Sequence, residues 1–115
     1  MYNYKLLDEE ACEFIPVVDV AELQDGERIF LEIDELEIVL FAIAGEYFAI
    51  EDICSHDDGP LGSGDIEGFE IVCPRHGAHF DIRTGKALSL PAIVDIASYP
   101  VRIADDQIEV GIPID

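Results

Sequence analysis

Apolar and polar residues alternate along most of this chain, and no apolar stripe of 3.6-residue period is long enough to form a helix of convincing length. That pattern restricts the fold to strands: it is all-β. β-Branched and aromatic residues lie where strands need them, and the alternation predicts strands at residues 12–18, 28–33, 37–43, 47–50, 69–72, 80–82, 97–103 and 107–110. Ala44-Gly45-Glu46 and Ala104-Asp105-Asp106 are short enough to close antiparallel hairpins. Arg83-Thr84-Gly85-Lys86 reads as a further tight turn in which Gly85 supplies a positive φ. Residues 18–23 have room for one helical turn at most.

The longest uninterrupted apolar run, residues 38–44, is strand-length and too short to span a bilayer. Half of the residues are hydrophobic and 28% are charged, enough to bury a core, and 115 residues fit a single domain over 1–115. Charge excludes more. With 26 acidic residues against 6 Lys plus Arg, the formal net charge is -20, which repels phosphate backbones and anionic headgroups. Nucleic acid and membrane are not expected partners; a protein with a basic docking surface is, although acidity can also serve solubility alone. The start of the chain, Met1-Tyr2-Asn3-Tyr4-Lys5 leading into Asp8-Glu9-Glu10, lacks the basic and apolar stretches of a signal peptide, so the expected location is cytoplasmic. Three cysteines in a reducing compartment cannot all pair, and together with histidine they suggest metal before cross-links.

The alternation fails in two places, residues 51–68 and 73–81, where loops rich in Gly, Pro, Asp, Ser and His interrupt the scaffold. Cys54-Ser55-His56 offers a sulfur and a nitrogen ligand two positions apart, and Cys73-Pro74-Arg75-His76 offers another such pair three positions apart. The 16 residues between His56 and Cys73 are enough for the chain to turn back and set the loops face to face. Two Cys and two His would also suit one tetrahedral zinc ion. Zinc fingers, however, group the two cysteines on a hairpin and the histidines on a helix, whereas mixed pairs suit a two-iron site with both thiolates on one iron and both imidazoles on the other.

These loops resemble those of Rieske-type [2Fe–2S] ferredoxins, with Cys54-Ser55-His56-Asp57-Asp58-Gly59-Pro60-Leu61 similar to the first and Cys73-Pro74-Arg75-His76-Gly77-Ala78-His79-Phe80-Asp81 similar to the second. The resemblance implies a Rieske fold of three stacked antiparallel sheets with a small cluster-binding subdomain. It implies one cluster held by Cys54, His56, Cys73 and His76. Respiratory members add a disulfide between the loops and place Ser and Tyr hydroxyls near the cluster; here Arg75 occupies the second-loop cysteine position, and Ala78 and Phe80 replace the hydroxyl residues. Losing those donors, with Asp57 and Asp58 beside His56, implies a potential near the lower end of a Rieske range of about −150 to +300 mV.

Other residues have plainer readings. Cys12 is expected as a buried thiol, His79 as a loop residue that contacts a partner, and Asp57 and Asp58 as turn residues. Gly59, Pro60, Gly62, Gly64, Gly77 and Pro74 are expected to shape the loops, and Arg75 is expected to be an exposed contact residue. No flavin-binding glycine motif, non-haem iron triad or nucleophile arrangement appears, so the chain reads as a carrier rather than an enzyme. By resemblance to the ferredoxins of ring-hydroxylating dioxygenases, a monomer would pass single electrons from a ferredoxin reductase to a terminal oxygenase. The competing readings are the small subunit of a nitrite reductase and a zinc-stabilised interaction module.

Overall fold

The apolar run of residues 38–44 becomes the middle of the molecule. In the computed structural model, which describes residues 12–54, 59–74, 77–90 and 94–113, Ile38 to Phe41 are wholly buried. They belong to β3 (Leu36–Ile43), which lies between β2 (Arg28–Ile33) and β4 (Glu46–Glu51) in a sheet completed by β8 (Ser98–Tyr99). Alternate residues of β3 enter two different cores. Val39 and Phe41 pack with Ile50, Leu61, Ile71, Phe80 and Ile96, whereas Ile38, Leu40 and Ala42 pack with Ala49, Ile108, Val110 and Ile112. A strand covered on both faces needs an unbroken apolar run, which residues 38–44 supply.

The second core is closed by a sheet of order β1-β10-β9, formed by β1 (Cys12–Asp19), β9 (Val101–Ala104) and β10 (Gln107–Pro113). The first is closed by β5 (Ile66–Glu67), β6 (Glu70–Val72) and β7 (His79–Asp81), a small sheet that carries the two loops. All pairings are antiparallel, giving the three expected sheets. The one helical turn expected at 18–23 is a 3-10 turn at Val20–Glu22, with Asp19 Oδ1 accepting from the Ala21 N–H at its start.

Three hairpins turn through two residues with both φ values positive, the geometry that matches strand twist. Ala44-Gly45 (φ 54° and 80°) and Asp105-Asp106 (52° and 64°) fall in the expected connections. Asp34-Glu35 (49° and 69°) joins β2 to β3 with neither Gly nor Asn to announce it. Gly85 takes φ 78° in the expected turn, and a Cβ there would run into the Ile96 carbonyl. Beside it, Arg83 stacks 4.7 Å over the Phe69 ring and pairs with Asp81, whose hydrogen bond, and then its charge, hold the guanidinium pKa above its ordinary value.

Two expectations are corrected. The strand expected at 97–103 breaks at Pro100, which has no N–H to give, so its halves β8 and β9 join different sheets. The Pro100 carbonyl still accepts from Gly111 N–H at 2.8 Å. The short β5 lies inside the segment read as loop, because two residues carry no periodicity.

The two-sided burial of β3 generates a test. Replacing Leu40 by Ala should destabilise the fold by about 2–5 kcal/mol, because the cavity opens in a core that close packing cannot refill. Urea unfolding measures it, and a loss under ~1 kcal/mol would show that this face is not a packed interior.

Candidate metal centre

Both loop cysteines are interior groups. Cys54 is 0% and Cys73 1% exposed, and both belong to one apolar cluster with Leu61, Ile71, Ala78 and Phe80. Each heads its loop with the same closure. The Cys54 N–H donates to the Gly59 carbonyl at 2.7 Å, and the Cys73 N–H donates to the Ala78 carbonyl at 2.7 Å. In the second loop the Gly77 N–H also donates to the Cys73 carbonyl at 3.0 Å, with Gly77 at φ 73°. Two matched turns thus bring two thiols into one buried apolar cluster, beyond the ends of β4 and β6.

The base of the first loop is fastened by charged side chains. Asp52, just past β4, accepts at Oδ1 from the N–H groups of Leu61 (3.0 Å) and Gly62 (2.6 Å). Arg28, at the start of β2, donates from one guanidinium nitrogen to the Gly62 and Gly64 carbonyls, each at 2.6 Å. Close packing explains both glycines: a Cβ at Gly62 would lie 2.6 Å from Phe30 Cε1 and 3.1 Å from Val39 Cβ, and one at Gly64 would meet the Val72 carbonyl. Neither anchor was visible in the sequence, since Arg28 reaches across 34 and 36 positions and Asp52 across 9 and 10.

His79 is a strand residue of β7, not the loop residue expected. Its Nδ1 lies 2.9 Å from Glu70 Oε1 on the adjacent strand, and its backbone N–H donates to Ser89 Oγ at 3.0 Å. Its side chain is engaged within its own sheet. Ala78 and Phe80, the positions where hydroxyl residues are missing, are both wholly buried. Cys12 is a buried β1 thiol in the far sheet, as expected. No disulfide joins any of the three cysteines. His56, His76, Asp57, Asp58 and Arg75 lie outside the described residues. Among the described residues no group of three His, Cys, Asp or Glu side chains is placed to hold a metal ion.

Two water-shielded sulfur donors from separate loops fit one half of a thiolate- and imidazole-ligated iron centre, because soft thiolates suit iron–sulfur chemistry. Comparison with known proteins agrees. The family described as Rieske [2Fe-2S] domain matches residues 13–100. The ferredoxin component of the naphthalene 1,2-dioxygenase system of Pseudomonas putida is 31% identical over 100 residues, covering 87% of this chain and 96% of that protein. The 3-phenylpropionate/cinnamic acid dioxygenase ferredoxin subunit of Shigella flexneri is 38% identical over 95 residues, covering 82% and 89%. Among solved structures, the ferredoxin of carbazole 1,9a-dioxygenase from Nocardioides aromaticivorans superposes with a TM-score of 0.79 at 28% identity, covering 84% of this chain and 95% of that one.

Proposed function

The chain belongs to the Rieske [2Fe–2S] family, and on that premise we propose that Cys54 and Cys73 bind one iron of its cluster while His56 and His76 bind the other. The observation that carries the assignment is the burial of Cys54 and Cys73 in one apolar cluster behind matched N–H···O=C closures. When bound, the cluster supplies one-electron redox chemistry. The protein is an electron carrier and not itself an enzyme.

The residues around the thiols do the remaining work. Leu61, Ile71 and Phe80 exclude water from the sulfur ligands, and the two loop closures fix the backbone from which those ligands project. Ala78 and Phe80 carry no hydroxyl to donate to cluster sulfur, so the more negative reduced state gains no stabilisation from these positions.

The relatives serve named dioxygenase systems. By analogy, this chain takes electrons singly from a ferredoxin reductase and delivers them to a terminal oxygenase. It acts as one monomeric domain in the cytoplasm. A net charge of -20 favours acceptors that dock through basic surfaces and makes encounter sensitive to salt. Among the described residues no helix is long and apolar enough to cross a membrane.

Two measurements test this reading. The purified protein should contain two irons and two acid-labile sulfides per chain, about one [2Fe–2S] cluster; one zinc and no sulfide would refute it. Its potential should lie near the lower end of the Rieske range, at about −150 mV. Phe80→Tyr should then raise the potential by roughly 20–60 mV, the one-electron equivalent of a hydrogen bond worth about 0.5–1.5 kcal/mol. Direct electrochemistry placing the wild type among high-potential respiratory centres would contradict the role given to Ala78 and Phe80.

A further inference from the structure

We propose that Arg28 is a positioning residue for the metal centre: it locks the segment 61–64 in place and thereby sets the spacing between the two cysteine loops. The inference rests on Cys54 and Cys73 being cluster ligands. Arg28 is one of only 6 Lys and Arg residues in a chain with 26 acidic ones, so a basic residue of no special role would meet a carboxylate. Among the described residues it meets none. Its guanidinium donates instead to two peptide carbonyls, Gly62 and Gly64, each at 2.6 Å, while its Cζ lies 5.5 Å from the ring centroid of Phe41, its cross-strand partner. A planar guanidinium resting on an aromatic face holds a fixed direction, so it fixes where both carbonyls sit.

The segment so held is the base of the first loop, and it contacts the chain just before each cysteine. On one side, Leu61 and Gly62 donate their N–H groups to Asp52, two residues before Cys54. On the other, Gly64 packs against the carbonyl of Val72, so closely that a Cβ would collide with it, and the Val72 N–H donates to Asp65. Val72 immediately precedes Cys73. Opposite charges thus grip one short segment from its N–H and C=O sides, and each cysteine is within two residues of a group in direct contact with that segment. Releasing the carbonyl side frees Gly62 and Gly64 to shift, and the register of the first loop against β6 is lost.

The test compares the intact protein with R28M, which keeps an apolar stem over Phe41, and R28K, which keeps charge without the planar fork. R102M is the control. Arg102 is a similar arginine, stacked 4.1 Å over Phe14 and donating to Glu109 at 2.7 Å, but it lies in the far sheet. In R28M the visible absorption of the cluster should bleach under a chelator roughly tenfold faster, because two charge-assisted hydrogen bonds are gone. The g-values of the reduced paramagnetic signal should shift, and amide exchange at residues 61–64 should quicken. R28K should fall between R28M and wild type, and it carries the test if R28M does not fold. R102M should leave all three readouts as in wild type. If R102M accelerates bleaching as much as R28M does, Arg28 contributes only general stability and the proposal fails. Exchange at residues 61–64 reads the grip whatever metal the site holds. Unchanged exchange in R28M overturns the proposal for Arg28, whereas a protein purified with zinc or without sulfide overturns the cluster assignment on which it rests.

Discussion

From Ile38 to Ala42 strand β3 gives neither face to water, and the rest of the molecule is arranged to satisfy that constraint. Val39 and Phe41 must be covered from one side and Ile38 and Leu40 from the other, so a second sheet packs on each face of the middle one. One of these outer sheets is built from β1, β9 and β10 and serves stability. The other, built from β5, β6 and β7, is too small to cover Val39 and Phe41 with strands alone. Its two loops supply the remaining cover, and this brings Cys54, Leu61, Cys73 and Ala78 inside. The thiols are therefore buried as part of the same packing that makes the fold stable.

Burial of that kind selects the chemistry. Cysteine sulfurs shielded from water are out of reach of outside electrophiles yet remain soft ligands for iron, and the low-dielectric surroundings favour whichever redox state carries less charge. Ala78 and Phe80, both apolar, leave that preference uncorrected by hydroxyl donors. Acidic residues are left to the periphery, since the described interior holds apolar side chains and little else. In the function proposed above, the apolar cluster bears on redox poise and the surface charge on which proteins approach.

Much of this was legible in the sequence because each signal was local. Alternation placed most strands, the apolar run of 38–44 was plainly strand-length, and the spacing of Cys and His within two loops singled out the candidate ligands. What escaped depended on distance or on brevity. Asp34-Glu35 forms a tight turn without a turn-forming glycine, β5 is too short for a period, and the break at Pro100 matters only because the two halves have different neighbours. Nothing in the residues near position 28 tells that Arg28 will reach Gly62 and Gly64, and nothing around His79 foretells its pairing with Glu70 across the sheet. Candidate ligands are written in short motifs, whereas the contacts that hold the loops in place are made by the fold.

The claim on which the account turns is that two histidines complete a centre begun by Cys54 and Cys73. Nitrogen hyperfine spectroscopy of the reduced protein, prepared with ¹⁵N-labelled histidine, addresses it directly, because an imidazole bound to iron transfers spin density to its ligating nitrogen and a distant one does not. The account predicts strong couplings from two of the three histidines in the chain, His56 and His76, with His79 contributing none. A reduced centre coupled to no histidine nitrogen, or to one alone, would contradict it.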